Sequence, residues 1–352
     1  MTIVLQITLF ILTILNKTGG REISLKILNF ITKNERFFYI DKIYDFKSLK
    51  TIQRLIIFLP GKGCEWFLKS GGCAMCGFAE KAHSIGKFLS GKDLVRLTKI
   101  AILMTSSERP ANIAIYNGGS FLNENEIPID AQLRILHLLF QRLDVKEVFI
   151  ESRAEFIIQK KIETIKKELN NKILTIGIGL EAQDDKIRNA YLRKGLSKKN
   201  YENAINLLRQ NGARSLSYVF LKPIYLDEGK AIEEAIDTIK YAFRANSDEV
   251  ALESAFIQKG TIMEKLYNEN KFRPPWLWSI IKVIEKTRHL GLVRLGGFED
   301  EPPPIAIPQN CLQCSKNVQE AMQKYRETYD LDNLKYLDCQ CKKEWLKLLK
   351  RN

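Results

Sequence analysis

The residues best suited to chemistry in this sequence are its seven cysteines, which are clustered along a chain of 352 residues. Three of them lie between residues 64 and 76, and the other four lie between residues 311 and 341. An odd number of clustered cysteines argues against a framework of disulfide bonds, because such frameworks need paired cysteines and an oxidising compartment. Thiolates bind both zinc and iron–sulfur clusters. The sequence therefore predicts two metal centres.

The first group consists of Cys64, Cys73 and Cys76, with eight and then two residues between successive cysteines. Three thiolates from one loop satisfy three irons of a 4Fe–4S cluster and leave the fourth iron open. An open iron can bind the amino and carboxylate groups of S-adenosylmethionine, which is what an enzyme that starts radical chemistry needs. The alternative for this loop is a zinc site that takes a fourth ligand such as His83.

The second group contains a Cys-x-x-Cys pair, Cys311 and Cys314, and a Cys-x-Cys pair, Cys339 and Cys341. Four sulfurs suit a closed tetrahedral zinc site, in which no water is activated. Structural zinc is therefore the first hypothesis for this group. An auxiliary iron–sulfur cluster and reduced structural cysteines are the alternatives.

Short β-branched runs alternate with longer amphipathic stretches from Leu55 onward, a pattern typical of βα units around a parallel sheet. Six strands are predicted, at Leu55–Leu59, Asn112–Tyr116, Glu147–Ile150, Ile173–Leu180, Leu216–Leu221 and Glu249–Phe256. Helices are predicted near Asp93–Thr105, Asp130–Leu143, Glu155–Leu169, Tyr201–Asn211 and Gly229–Ala245. Six consecutive units favour a curved, incomplete barrel. The first strand also lacks the G-x-G-x-x-G that would follow it in a dinucleotide-binding sheet.

Unusual residues follow each predicted strand directly. The cysteine loop follows the first strand, and further segments follow the next four, namely Asn117–Ser120, Glu151–Arg153, Glu181 and Lys222–Pro223. Ligands of parallel α/β folds bind at the carboxyl ends of the strands. The sequence therefore predicts one active site that these segments share.

The chain divides into an N-terminal segment 1–50, a barrel 51–270 and a C-terminal extension 271–352 that carries the paired cysteines and a short strand at Leu292–Leu295. The apolar stretch Met1–Asn16 is too short to span a bilayer as a helix and lacks the features of a signal peptide. We expect it to be a buried strand or helix, or an over-long start. The sequence thus predicts a cytoplasmic protein with no membrane partner.

The net charge is +14, which favours a polyanionic partner such as nucleic acid. The basic residues are spread along helical stretches, however, and they form no single dense tract. A compositional drift towards lysine is the alternative.

Six short motifs occur in order along residues 55–345. They are Cys-x-Trp followed by Ser-Gly-Gly-Cys-x-Met-Cys-Gly-aromatic at Cys64–Phe78, Tyr-Asn-Gly-Gly-Ser-Phe at Tyr116–Phe121, Glu-Ser-Arg at Glu151–Arg153, Gly-Leu-Glu at Gly179–Glu181, Pro-Pro-Trp-Leu-Trp-Ser at Pro274–Ser279, and Cys-x-Cys-x-x-x-Trp at Cys339–Trp345. Together they resemble the archaeosine-forming family of the radical S-adenosylmethionine (SAM) superfamily, which is related to the branch of the Elongator catalytic subunit.

Three details depart from the wider superfamily. The first gap between cluster cysteines is eight residues rather than the usual three, and Met75 replaces the usual aromatic residue before the last cysteine. The usual Gly-Gly-Glu is Gly118-Gly119-Ser120 here. A backbone contact with the cofactor can therefore be kept, whereas the carboxylate contact cannot.

The resemblance implies an α/β fold, a partial (β/α)6 TIM-like barrel with a small C-terminal metal subdomain, and the cofactors 4Fe–4S and SAM. It implies a tRNA substrate that carries a 7-cyano-7-deazaguanine–lysine adduct, made by a partner lysine transferase. With an electron donor, the cluster would split SAM, and the resulting radical would take a hydrogen from the lysine carbon next to the amidine nitrogen. Scission of the carbon–nitrogen bond would leave archaeosine. The activity implied is that of a lyase of tRNA modification.

The resemblance, together with position at strand ends, implies cofactor contacts for eight residues: Cys64, Cys73, Cys76, Gly118, Gly119, Glu151, Arg153 and Glu181. The glycines would bind the methionine end of SAM, Glu151 and Arg153 other polar groups of the cofactor, and Glu181 the ribose hydroxyls. A plain turn, a structural ion pair and a helix cap are the respective alternatives. No catalytic acid–base residue is assigned.

Two other functions fit the same residues. One is a radical SAM enzyme that modifies tRNA by methylthiolation or acyl transfer. The other is a zinc-dependent RNA-binding protein without radical chemistry.

Overall fold

The computed structural model describes residues 37–169, 171–298 and 301–350, together with Ile27, Phe30 and Ile31. Eight strands form one sheet in this part of the chain: β1 Phe38–Asp45, β2 Lys50–Phe58, β3 Asn112–Tyr116, β4 Glu147–Glu151, β5 Ile173–Glu181, β6 Arg214–Leu221, β7 Glu249–Ser254 and β8 Leu292–Leu295. The strands lie side by side in chain order from β1 to β8. The first pair is antiparallel, and all later pairs are parallel.

Helices cover the connections between these strands and form the C-terminal extension: α1 Glu65–Ser70, α2 Phe78–Gly86, α3 Gly91–Met104, α4 Ile129–Phe140, α5 Gln159–Glu168, α6 Lys198–Gln210, α7 Glu228–Arg244, α8 Ile262–Asn268, α9 Leu277–Thr287, α10 Ser315–Thr328, α11 Asp332–Lys335 and α12 Cys341–Leu349. Several begin at residues that cap helices well. Ser90 and Asp93 form a reciprocal capping box at α3, and Asp227 caps α7.

The predicted α/β half-barrel is confirmed. All six predicted strands and all five predicted helices are present, with ends that differ by a few residues from those expected. The structure adds β1, an antiparallel strand from the segment predicted to precede the barrel, and it confirms the short strand β8. The stretch Met1–Asn16, expected to be buried or an over-long start, lies outside the described residues.

The two faces of the sheet bury different kinds of side chain. One face carries Ile113, Ile115, Val148, Ile150 and other branched residues that are almost wholly buried and pack with the helices. On the other face, polar groups meet at the amino-terminal ends of the strands. Arg214 donates to Glu249 at 2.6 Å, and Arg294 also pairs with Glu249. Asn112 and Thr175 both donate to Glu147. This network of paired charges and hydrogen bonds lies at the end of the barrel that is remote from the predicted site.

The C-terminal extension packs on the barrel. Helix α9 lies against α7, and α10 lies against β1. Val318, Met322 and Trp345 belong to the same hydrophobic core as the barrel strands. None of the described helices is both long and apolar enough to cross a membrane.

Candidate active site at the carboxyl ends of the strands

The cysteine loop connects β2 to α2. Cys64 is the N-cap of α1, and Gly71 ends that helix in a left-handed conformation at φ +80°. A tight turn from Cys73 to Cys76 follows, closed by the N–H of Cys76 donating to the carbonyl of Cys73 at 3.2 Å. A short helix and a turn thus bring three thiols, distant in sequence by up to a dozen residues, onto one loop.

A second loop, residues 192–195, holds the cysteine loop in place. The carbonyl of Leu192 accepts the N–H of Ala74 at 2.9 Å, and the carbonyl of Arg193 accepts the indole N–H of Trp66 at 2.9 Å. A Cβ at Gly195 would collide with the Trp66 ring, so only glycine permits this close packing. We call residues 192–195 the latch loop.

The three thiols lie in a desolvated setting. Burial raises the pKa of Cys64 and of Cys73, and it raises the pKa of Cys76 to about 12. The Lys194 ammonium opposes the effect of burial at Cys73. Thiols of this kind stay protonated until a metal displaces the proton. The nearby cation would then compensate the charge of bound thiolates.

The glycine turn after β3 lies directly beside the cysteine loop. Gly118 has a φ of +66°, and a Cβ on it would approach the Ala82 side chain of α2 to 2.6 Å. A Cβ on Gly119 would lie 3.1 Å from the Cα of Cys64. The structure therefore packs the glycine turn tightly against α2 and the start of the cysteine loop, and only glycine permits this close approach.

Glu126 ties these two segments together. Its carboxylate accepts the N–H of Ser120 at 2.5 Å and the N–H of Glu65 at 3.0 Å. Asn123 donates to the same carboxylate at 3.1 Å. Glu126 is only 1% exposed, and its burial raises the pKa of the carboxyl. The Gly-Gly-Ser turn therefore does have a carboxylate beside it. That carboxylate belongs to Glu126, six residues after Ser120.

Glu181 ends β5 next to Cys73. It is buried, its φ is +67°, and it forms an ion pair with Lys194 of the latch loop at 2.7 Å. Its charge acts on the Cys73 thiol. A left-handed conformation at a non-glycine residue is costly and persists where the surroundings enforce it, often at functional sites. The predicted contact with ribose hydroxyls stays a prediction.

Glu151 and Arg153 follow β4 and have protein partners in the structure. Glu151 accepts the Tyr218 hydroxyl at 2.6 Å. The Arg153 guanidinium donates to Glu155 at 2.5 Å and to the carbonyls of Lys194 at 2.8 Å and Gly195 at 3.0 Å. Arg153 therefore fastens the latch loop to β4 through two backbone carbonyls, and its ion pair is with Glu155. Their contacts with a cofactor stay predictions.

The three thiols of the loop fit a 4Fe–4S cluster. In the described part of the chain, only the C-terminal cysteines form a group of three or more ligand atoms that all lie within 4.8 Å of one another. Cys64, Cys73 and Cys76 are more widely spread, which suits ligands of three separate irons. His83, the ligand considered for zinc, bonds through Nδ1 to the Lys62 carbonyl at 2.6 Å.

A buried amide beside the cysteine loop also fits a bound group. The Oε1 of Gln258 accepts the N–H of Gly77, the residue after Cys76, at 2.7 Å. This bond fixes the orientation of the amide. Gln258 is 1% exposed, and its Nε2 has no hydrogen-bond partner among the described residues. Buried donors are rarely left unpaired, so a ligand at the loop would complete this one.

The four C-terminal cysteines form a compact sulfur cage. The sulfur of Cys311 lies 3.6 Å from those of Cys314 and Cys339, and Cys314 lies 3.6 Å from Cys341. A tetrahedral zinc site with Zn–S bonds of about 2.3 Å has sulfurs about 3.8 Å apart. The cage therefore fits one tetrahedral metal ion. The Trp278 indole donates to the Cys341 sulfur at 3.4 Å from outside.

Three contributors to the site were missed by sequence reasoning. Glu126 and Lys194 lie in irregular loops, where no periodicity marks them. Gln258 follows β7 by four residues, so a search of every strand end would have found it. Glu126 lies away from any strand end, so that search would not have found it.

Comparison with known proteins gives the chain a family. It is 30% identical over 302 residues to archaeosine synthase subunit beta of Methanosarcina acetivorans, covering 84% of each protein. The chain belongs to the archaeosine synthase subunit beta family. A second member, from Thermococcus kodakarensis, is 28% identical and matches 83% of this chain and 90% of its own length.

A solved structure shares the half-barrel fold of this archaeosine synthase subunit beta family member. Archaeal Elp3 of Methanocaldococcus infernus, lacking its N-terminus, superimposes with a TM-score of 0.51 at 17% identity. The match covers 67% of this chain and 59% of the Elp3 chain. No model of a known protein family matches the sequence.

Proposed function

We propose that this protein is the radical SAM subunit of archaeosine formation, a lyase that cleaves the lysine carbon–nitrogen bond of a 7-cyano-7-deazaguanine–lysine adduct in tRNA. One observation carries the proposal. A loop with three partly buried thiols lies against a glycine turn, at the carboxyl ends of a parallel half-barrel, in a chain of the archaeosine synthase subunit beta family.

In this proposal Cys64, Cys73 and Cys76 hold a 4Fe–4S cluster. Bound together, such a cluster and SAM supply one-electron cleavage of the sulfonium, and with it a hydrogen-abstracting carbon radical. The backbone of Gly118 and Gly119 receives the methionine end of the cofactor. Because Glu126 fixes both this turn and the start of α1, it sets the distance between the glycines and the thiols.

The remaining residues position the reactants and exclude water. Glu181 lies next to Cys73 and is oriented by Lys194, which suits a group that receives ribose hydroxyls. The latch loop covers the cysteine loop through Leu192 and Arg193. Holding a substrate carbon close to a radical source contributes to the rate through orientation alone. Exclusion of water protects a reactive radical from side reactions.

The partners follow from the family. The two named relatives are beta subunits, so we propose that this protein works with a second subunit, the lysine transferase that makes the adduct. The net charge of +14 supports a tRNA substrate. An electron donor is needed to reduce the cluster. We propose structural zinc for Cys311, Cys314, Cys339 and Cys341, because the sulfur spacing suits one tetrahedral ion.

The test uses tRNA that carries the lysine adduct, incubated anaerobically with the reconstituted protein, SAM and a reductant. Mass spectrometry of the nucleosides should show the adduct replaced by archaeosine. A Cys73→Ala variant should leave the adduct unchanged. A methylthiolated or acylated nucleoside would replace this function with another radical modification. Stoichiometric zinc at both cysteine groups, with intact SAM, would indicate an RNA-binding protein without radical chemistry.

A further inference from the structure

A cleft of about 750 Å³ opens beside the carboxyl end of β6. Its walls come from the β6–α7 connection, which contributes Lys222 and Tyr225, and from the segment after α8, which contributes Lys271, Phe272 and Arg273. None of the residues predicted to bind the cluster or SAM lines it. It opens at the same end of the sheet as the cysteine loop, because β6 and β2 run parallel within one sheet.

The inner wall of the cleft is rigid. Lys222 is 6% exposed and forms an ion pair with Glu228 at 2.5 Å. Glu228 also accepts the Ser279 hydroxyl at 2.5 Å and the N–H of Trp276 at 2.8 Å. The wall is therefore fastened to α9, and the cleft keeps its shape without a ligand.

The rim of the cleft presents an aromatic ring to solvent. Tyr225 is 65% exposed, and its φ of +68° is rare and costly for a bulky residue. Tyr191 packs edge-to-face against it at 5.2 Å. The exposure and the strained backbone together indicate a side chain that is displayed for a partner.

Two exposed cations line the same cleft as this ring. The Lys271 side chain is 68% exposed, and Arg273 lies over the Trp276 ring at 4.6 Å. The acidic residues near the cleft form ion pairs with neighbouring lysines. Asp227 caps α7 and lies 3.4 Å from Lys230, and Glu269 lies 2.8 Å from Lys271. Exposed amides of Asn268 and Asn270 complete the lining.

Aromatic faces, cations and amides are the groups that bind single-stranded RNA, by stacking on bases, pairing with phosphates and reading base edges. We propose that this cleft binds a single-stranded segment of the RNA substrate, with a base stacked on Tyr225 and phosphates held by Lys271 and Arg273. The identification of that RNA as tRNA rests on the proposed function. An exposed aromatic ring that shares one cleft with two cations favours RNA over an acidic protein surface.

The test measures the affinity of the full-length, reconstituted protein for a fluorescently labelled, unmodified tRNA over a range of salt concentrations. Tyr225→Ala should raise Kd about five- to a hundredfold, since it removes one stacked base, whereas Tyr225→Phe should bind like the original protein. Affinity for RNA falls as salt rises, and the double variant Lys271→Ala, Arg273→Ala should make this fall less steep. The slope of log affinity against log salt should be smaller in magnitude by about 1.4, which corresponds to the loss of two phosphate contacts.

The matched control is Lys240→Ala, Lys286→Ala, which removes the same charge from a different surface depression. It should change the slope much less than the cleft variant. The thermal unfolding midpoint of each variant reports whether it still folds.

The outcomes separate the two proposals. If the original protein binds tRNA and both cleft variants bind equally well, the cleft proposal is wrong and the proposed function stands. If the cleft variants keep tRNA affinity but lose affinity for the purified partner subunit, the cleft is a protein interface instead. If the reconstituted original protein binds no tRNA at any salt concentration, the tRNA part of the proposed function fails as well.

Discussion

The carboxylate of Glu126 accepts the backbone N–H of Ser120 at 2.5 Å, in a chain whose glycine turn lacks the acidic residue of the wider superfamily. The same carboxylate accepts the N–H of Glu65, at the start of the helix that follows Cys64. A single buried side chain therefore sets the spacing between the glycine turn and the first thiol. The proposed binding of SAM between the glycines and the cluster depends on that spacing.

Replacing Glu126 with alanine should destabilise the protein. The buried N–H of Ser120 and the partly buried N–H of Glu65 would lose their acceptor, at a cost of about 2–4 kcal/mol in total. Urea unfolding measures the change in the free energy of unfolding. Glu124→Ala is the matched control, because Glu124 is two residues away, exposed, and paired only with Lys161 at 3.1 Å. Its effect should stay below about 1 kcal/mol; equal losses in the two variants would contradict a bridging role for Glu126.

The same residue predicts a pH dependence. Burial raises the pKa of Glu126 above its usual value near 4.5, so the folded protein holds this proton where the unfolded chain has released it. The unfolded state binds fewer protons in that interval, so this group lowers the free energy of unfolding as the pH rises through it. Glu126→Gln should flatten that fall. Unfolding curves between pH 4.5 and 7 measure it, and an unchanged slope would refute the prediction.

The C-terminal cage should contribute stability through its metal. Cys314→Ala removes one of four sulfurs, and the variant should purify with less than one metal ion per chain and a thermal midpoint lower by more than about 5 °C. Leu312→Ala, in the same turn but 98% exposed, should keep both metal and midpoint. Elemental analysis by mass spectrometry identifies the ion. If the original protein contains no metal and Cys314→Ala has an unchanged thermal midpoint, the four cysteines are reduced structural residues and hold no metal ion.

The Lys222–Glu228 pair should be costly to break. Glu228→Gln leaves the Lys222 ammonium buried without its counter-charge, and the free energy of unfolding should fall by about 3–5 kcal/mol. Glu233→Gln makes the same chemical change on the exposed face of α7 and should have little effect. Chemical unfolding compares the two. Similar small losses would mean that solvent reaches the pair.

Gln258 should influence the cluster electronically. Gln258→Leu removes both the acceptor of the Gly77 N–H and the unpaired donor, and loss of a donor at a cluster shifts its reduction potential to more negative values. A redox titration followed by electron paramagnetic resonance measures the midpoint. Gln210→Leu, at the exposed end of α6, should leave it unchanged. An unaltered midpoint in Gln258→Leu would show that the amide does not face the cluster.

Sequence reasoning predicted the parallel half-barrel because the buried strands are rich in branched apolar residues, as in Ile173–Leu180, and alternate with amphipathic helices. It did not predict β1, because Phe38–Asp45 has neither a continuous apolar run nor a regular alternation of polar and apolar residues, and the strand is only partly buried. Strand ends located the thiols, the glycines and Glu181. The partners of Arg153 and the bridging role of Glu126 depend on how separate loops pack, which no local pattern records.

The central claim is that the three-thiol loop holds a cluster with one iron open to SAM. The most direct measurement is the electron paramagnetic resonance spectrum of the reduced, reconstituted protein, before and after addition of SAM, with assay of 5′-deoxyadenosine. We predict a 4Fe–4S signal that changes when SAM binds, together with the formation of 5′-deoxyadenosine. The Cys73→Ala variant should show neither the signal nor the product. A loop that binds one four-coordinate metal ion, with SAM left intact under reductant, would contradict it.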